Sequence, residues 1–383
     1  MNKPVYLDYN GTTPLDPEVI ESMRPFLEEE FGNPSSTHWY GIAPKRAVNK
    51  AREQVAALLN CDPQEIIFTS GGTESNNHAI RGIAHSHRGK GNHIITCQIE
   101  HPAVLEVCRH LEQYGFKVSF LPVDEYGLVA VSDVEAAITP QTILITIMHA
   151  NNEVGTVQPV EEIAELARKR GIAMHTDAAQ SLGKIPAGVD ALGVDLLSVA
   201  GHKLYAPKGI GALYIRPGTV VEKFMLGAGQ EMGKRAGTEN VLEIVGLGKA
   251  CEIALRDLER NMSHMKALRD VLHQGLSKRL HDVRLNGHPE KRLPNTLSLS
   301  FRGLEANRIL EEIGLDVAAS AGAACHADTI EISHVLEAMH VPLDWAKGTL
   351  RFTTGRMTTD TEIARVIDTV AKGVETCRDQ SRK

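Results

Sequence analysis

The sequence predicts an α/β fold: a mostly parallel sheet covered by helices, followed by a smaller α+β C-terminal domain. Two observations carry this. From about residue 50 to 220, short apolar runs alternate with segments of helical spacing, the pattern of a covered parallel sheet. Further on, strand-like runs at Thr296 to Phe301 and Leu350 to Thr353 mix with helical stretches at Glu305 to Ile313 and Thr361 to Val374. No internal repeat or low-complexity segment interrupts either part.

The elements follow in order. Ala47, Ala51, Val55, Leu58 and Leu59 have helical spacing, so residues 44 to 60 read as a helix. Glu65 to Thr69 is a strand running into Ser70-Gly71-Gly72-Thr73-Glu74, with a helix expected from about His78 to His85. Strand, glycine turn and helix start can cradle an anion on free backbone N–H groups, or form a plain turn with a Ser or Thr cap. Neither GxGxxG nor GxxxxGK[ST] occurs, which disfavours a dinucleotide fold or P-loop. His93 to Cys97 is a strand that delivers Glu100-His101-Pro102, followed by a helix from Ala103 to Tyr114. His101 is thus a capping histidine, or an imidazole placed to stack on a planar ligand at the sheet edge where α/β folds bind.

Val118 to Leu121 and Thr142 to Met148 are further strands, the second ending at Asn151-Asn152, two amides suited to a ligand oxygen or to a turn. After a helix from Pro159 to Arg170, Ile172 to Asp177 is a strand. A carboxylate at its end requires a cation, such as a pyridinium N–H, or serves as a helix cap. Val194 to Val199 is a buried strand that stops at Ala200-Gly201 and presents His202 and Lys203. A lysine held at such a strand end loses basicity by desolvation and can act as an amine nucleophile, most widely toward pyridoxal phosphate. Gly209 to Ile215 completes the series, and Gly227 to Asn240 reads as a long polar, glycine-rich loop that packs no core of its own. A helical region from Val241 to Leu280 follows, with Leu247, Ile253, Leu258 and Leu268 as its apolar stripe; the domain boundary is expected inside it.

Composition narrows the class. The 383 residues suffice for two domains, and 42% hydrophobic with 23% charged is ordinary for a globular protein. A net charge of −7 argues against a nucleic-acid-binding surface. No secretory h-region opens the chain, and the longest apolar run, Ile143 to Met148, is far short of a membrane span. Cys61, Cys97, Cys108, Cys251, Cys325 and Cys377 are scattered without CxxC, which fits free thiols in a cytoplasmic protein. The 17 histidines show no metal-binding spacing, so no metal is expected.

Taken together, Gly-Gly-Thr-Glu, Glu-His, Asn-Asn-Glu, Asp-Ala-Ala-Gln and Gly-His-Lys occur in one order at successive strand ends. That order resembles the PLP-dependent cysteine desulfurase and selenocysteine lyase family, within the fold-type I (aminotransferase class V) enzymes. The likeness runs from Tyr6-Leu7-Asp8-Tyr9-Asn10-Gly11-Thr12-Thr13-Pro14 to Leu350-Arg351-Phe352. It implies a seven-stranded, mostly parallel sheet in a large pyridoxal-phosphate domain (residues 15–250). Residues 1–14 and 251–383 would form the small domain carrying a cysteine loop.

The resemblance implies roles as well. Lys203 would hold pyridoxal phosphate as a Schiff base, Asp177 would pair with the ring nitrogen, and His101 would stack on the ring and assist proton transfer. Gln180 would hydrogen-bond the ring's phenolic oxygen, and Gly72, Thr73, Ala200 and His202 would bind the phosphate. Thr238 would reach the phosphate from the other subunit of a homodimer. Asn152 and Arg351 would hold the substrate carboxylate. Cys325, on a polar loop, would take sulfur from L-cysteine as a persulfide, leaving L-alanine. The loop from Cys325 to Arg351 would then carry the persulfide outward to an acceptor protein.

Some positions depart from the desulfurase pattern. Ala228 interrupts three glycines, Met232 stands where arginine is common, and Pro102 stands where some desulfurases carry lysine and mammalian-type lyases aspartate. Cys325-His326-Ala327-Asp328 looks more like selenocysteine lyases. The expected function is therefore a cysteine desulfurase, with a selenocysteine lyase acting on L-selenocysteine as the alternative. A non-catalytic sulfur-relay scaffold or an aminotransferase of the same fold stands behind both.

Overall fold

Apolar runs four or five residues long pair edge to edge in the first half of the chain. They are Ile66–Thr69 (β1), His93–Cys97 (β2), Lys117–Leu121 (β3), Thr142–Thr146 (β4), Ala173–Asp177 (β5), Leu196–Ala200 (β6) and Gly211–Ile215 (β7). The computed structural model describes residues 3–326 and 329–381, and at 323–326, 329–331 and 381 the backbone alone. Strand order across the sheet is β1-β7-β6-β5-β4-β2-β3. β7 runs antiparallel to both neighbours and the remaining pairings are parallel. The fold is thus the expected mostly parallel, seven-stranded α/β sheet.

Alternation along each strand builds two cores. Ile66, Phe68, Ile95, Ile145, Leu197, Val199 and Tyr214 face one side. Ile67, Ile94, Leu144, Leu196, Leu213 and Ile215 face the other, against Ile80 and Ile83 of the Gly72–Ser86 helix. Every residue of β1, β2, β4, β6 and β7 is buried, as a sheet covered on both faces requires. β3, one of the two edge strands, opens with an exposed lysine, Lys117, which discourages further pairing.

A second sheet is antiparallel, in the order Ser320–Ala321, Thr349–Thr353, Thr296–Phe301, Val283–Asn286. Its core gathers Val5 and Leu7 from the chain start with Leu297, Leu299, Phe301, Leu350 and Phe352. The Val241–Arg279 helix serves both halves: Ile244, Leu247 and Cys251 pack under the large sheet, and Leu268, Leu272 and Leu276 join the smaller one. Among the described residues no helix is long and apolar enough to cross a membrane.

Three local expectations change. The helix expected from His78 begins at Gly72, because Glu74 in its first turn reaches back to accept from the Ser70 N–H at 2.8 Å. The segment Gly227 to Asn240 does contribute to the interior. Glu231 is buried there, held by both guanidinium nitrogens of Arg52 at 2.7 and 2.8 Å and by the Phe68 N–H at 2.8 Å. The stretch from Cys325 to Arg351 is not a loop. Ala323–His326 pairs with Thr329–Ile332 as a hairpin, with Cys325 opposite Ile330, and helices His334–Ala338 and Leu343–Ala346 follow. The alternating Thr329-Ile330-Glu331-Ile332 is a strand pattern, which explains the difference.

Candidate active site

The carboxyl ends of β1, β2, β4, β5 and β6 all open onto one cavity of about 410 Å³. This is the edge at which open α/β sheets bind ligands. Its lining includes Gly72, Thr73, His101, Asn152, Asp177, Gln180, Ala200, His202, Lys203 and Arg351.

Lys203 ends a short turn, Gly201–Lys203, that directly follows β6. Its Nζ donates to the carbonyl oxygens of Asn10 at 2.5 Å and Gly11 at 2.7 Å. Burial pushes its pKa down to about 8; Arg351 lowers it further, while Asp8 and Asp177 oppose. The amine is thus within reach of its neutral, nucleophilic form near neutral pH.

Asp177, buried at the end of β5, accepts from Asn76 Nδ2 at 2.7 Å and from the Ala179 N–H at 2.9 Å. It is therefore a local cap, and its carboxylate also faces the cavity. Two hydrogen bonds leave acceptor capacity on a carboxylate. His101 likewise does both things considered for it. Its Nδ1 accepts from the Ala103 N–H at 3.1 Å, capping the Pro102–Glu112 helix, and its ring lines the cavity. Burial lowers its pKa, so the imidazole is neutral with its proton on Nε2.

Gly72 begins its helix with no side chain capping it, and a Cβ there would sit 3.1 Å from the Ala200 Cβ. This leaves a small-walled helix N-terminus of the kind that binds anions. His202, beside it, has its pKa lowered to about 4, chiefly by burial and then by Lys203. It is a neutral donor or acceptor, not a cation.

On the opposite wall, Arg351 Nη2 donates to Asp8 Oδ1 at 2.7 Å and Ser320 Oγ at 3.1 Å, and Nη1 to the Asn152 carbonyl at 3.1 Å. Its Nε is buried and has no partner among the described residues. Of the paired amides, only Asn152 lines the cavity. Asn151 is a turn former, its side chain tied to Ile99, Glu153 and Val154. Thr238 is exposed and does not line this chain's cavity. The Cys325 side chain lies outside the described residues.

Sequence reasoning missed four side chains or backbone groups here. Asn76 holds Asp177 and leaves its own Oδ1 buried without a partner among the described residues. Asn10 and Gly11 receive the Lys203 amine. Lys184 is buried behind Gln180. Helical spacing within Gly72-Thr73-Glu74-Ser75-Asn76 could have flagged Asn76, one turn on from Gly72.

The aminotransferase class-V signature matches residues 5–366. The chain belongs to the aminotransferase class-V family. Within this family it is similar to "Cysteine desulfurase IscS" of Dictyoglomus turgidum, 48% identical over 379 residues, covering 99% of this chain and 96% of that one. It is also similar to "Cysteine desulfurase IscS" of Methanosarcina thermophila, 47% identical over 381 residues, with 99% and 94% covered. Among solved structures, a "NifS-like protein" superposes with a TM-score of 0.92 at 38% identity, over 97% of this chain and 100% of that one. "SspA in complex with cysteine" superposes with a TM-score of 0.81 at 37% identity, over 94% and 100%.

Proposed function

We propose that this chain is a pyridoxal-phosphate-dependent cysteine desulfurase that converts L-cysteine to L-alanine and passes the sulfur through Cys325 to an acceptor. Its relatives' names and coverage support the reaction. The observation that carries the site assignment is one cavity shared by a softened lysine, a buried carboxylate, a neutral histidine and an arginine with a buried, unpartnered Nε. Asn76 Oδ1, an acceptor, and Arg351 Nε, a donor, are buried without partners among the described residues, and both residues line that cavity, so the polar groups fit a polar planar cofactor and an amino-acid carboxylate.

Bound there, pyridoxal phosphate would supply an aldehyde for amines and a ring that stores the electron pair released at the substrate α-carbon. Lys203 would supply the amine that holds the cofactor and, as a free amine, would move the substrate's α-proton. Asp177, its carboxylate oriented by Asn76, would accept from the ring nitrogen. His101 would stack on the ring, Gln180 would donate to the phenolic oxygen, and Gly72, Thr73, Ala200 and His202 would hold the phosphate. Arg351 and Asn152 orient the substrate carboxylate so that its α-hydrogen faces Lys203. Cys325 Sγ, as a thiolate, would attack the substrate sulfur, forming the S–S bond as the substrate's Cβ–S bond breaks; the bonding pair passes to the β-carbon, which takes up a proton to become the methyl group of alanine, and the sulfur stays on Cys325 as a persulfide.

A second copy is expected to complete the site with Thr238. Phe31, Trp39 and Tyr40 are 80%, 81% and 58% exposed, an apolar surface that suits burial against another subunit. Pro34 and Ser35, beside them in sequence, line a cavity with Gly229, Gln230 and Met232 of the segment that carries Thr238.

The test pairs two substrates with one variant. With a thiol reductant present to reduce the Cys325 persulfide and turn the enzyme over, wild-type holoenzyme should yield alanine and sulfide from L-cysteine, and Cys325→Ala should lose that turnover while keeping the cofactor's visible absorbance. Negligible turnover of cysteine alongside brisk turnover of selenocysteine would replace this reading with a selenocysteine lyase.

A further inference from the structure

Lys184 lies 5% exposed beneath the cavity floor, four residues after Gln180. Its Nζ has two partners, both neutral amide oxygens: Gln180 Oε1 at 2.9 Å and Asn10 Oδ1 at 3.1 Å. Gln180 Nε2 in turn donates to the Asn10 backbone oxygen at 3.0 Å, the same atom that accepts from Lys203.

A glutamine amide can sit in either of two orientations related by a half-turn, and its neighbours decide which. Here one neighbour is a donor and the other an accepting carbonyl. They select the same orientation, with Oε1 down toward Lys184 and Nε2 up toward Asn10 and the cavity. We propose that Lys184 is a positioning residue that locks the Gln180 amide with its N–H group turned toward the cavity, ready to donate to an anionic ligand oxygen. In the reverse orientation a carbonyl oxygen would face that ligand oxygen and repel it.

The amine suits this task. Burial drives its pKa well below the ordinary lysine value, with Lys203 and Arg351 adding to the effect. Two acceptors, Gln180 Oε1 and Asn10 Oδ1, take two of its N–H bonds, and burial disfavours a positive charge next to Lys203. Asn10 Oδ1 also accepts from Asn295 Nδ2 at 3.0 Å, so loss of Lys184 would leave that atom paired and would strip only Gln180 Oε1 of its donor.

The inference rests on Gln180 facing the phenolic oxygen of pyridoxal phosphate. The test uses holoenzyme and titrates its visible absorbance band against pH. Removing a donor to the phenolic oxygen makes the neighbouring Schiff-base nitrogen more basic. Lys184→Met should raise the band's midpoint by about 0.5 to 1, the equivalent of one net hydrogen bond. Gln180→Leu should raise it at least as far, and the double variant should match Gln180→Leu alone, because Lys184 acts through Gln180. Lys184→Leu carries the same expectation if Lys184→Met is recovered unfolded. An unmoved midpoint in the folded Lys184 variants, or shifts that add fully in the double variant, overturn the proposal. A midpoint unmoved by Gln180→Leu overturns the reading of Gln180 itself, and this inference with it.

Discussion

The lowered basicity of Lys203 makes a prediction that can be worked through. With a midpoint at about 8 instead of the ordinary 10.5, about a tenth of the apo-protein carries Lys203 as a free amine at pH 7. An unperturbed lysine would carry about 0.03%, so the pocket raises the reactive population by about 300-fold. The rate at which apo-protein recombines with added pyridoxal phosphate should therefore climb with pH and level off above about 8, not above 10. Arg351→Met perturbs this twice in the same direction. It removes the cation that depresses Lys203, and it releases Asp8, whose carboxylate already acts to raise the Lys203 pKa. A shift of about one unit is expected for removing one nearby like charge, so recombination at pH 7 should slow by about tenfold. Stopped-flow absorbance across pH 6 to 10 reads both quantities. A wild-type profile that bends near 10, or an Arg351→Met profile displaced to lower pH, would refute the electrostatic account.

Three further outcomes follow from the framework around the site. Glu231→Gln should destabilise the fold by about 3 to 5 kcal/mol, the usual cost of breaking a buried ion pair, because it leaves Arg52 with its charge unmatched; a urea midpoint corresponding to less than 1 kcal/mol would show the pair to be dispensable. Gly211→Ala should cost about 1 to 3 kcal/mol and weaken cofactor retention, since its Cβ would fall 2.4 Å from the Val199 carbonyl oxygen and 2.7 Å from the Gly71 backbone. Unchanged thermal stability would mean that β7 shifts freely there. Glu100, fully buried, has its pKa raised to about 8 by burial, so the folded state prefers it protonated. Its contribution is fully present below the unfolded value near 4.5 and is lost as pH rises through 8. Glu100→Gln should remove that loss, so its melting temperature should gain on wild type between pH 5 and 9; a constant difference would contradict the protonated state.

How much of this could be read from residues alone divides along a physical line. β2 was legible to the residue, because five consecutive buried side chains bounded by polar turns leave a strong local signal. The strand-end groups were legible as well, since Asp177, His101 and Lys203 each follow an apolar run within a few positions. What escaped was satisfaction at a distance. Asn10 reads as an ordinary turn residue, yet it is 1% exposed and its atoms serve Lys203, Gln180, Lys184, Asn152 and Thr296. Lys184 is spaced from Gln180 like a solvated helical pair, and nothing near it in sequence announces burial. Glu231 sits among glycines, and its partner Arg52 is 179 positions away. A buried polar atom is tolerated only when another element brings its partner, so its role belongs to the tertiary pairing and not to the local pattern. This also explains why the Lys203 environment is built from the chain's first residues. An amine whose basicity is to be lowered needs acceptors that are themselves uncharged, and the Asn10 and Gly11 carbonyls provide them without a carboxylate paired directly to Nζ.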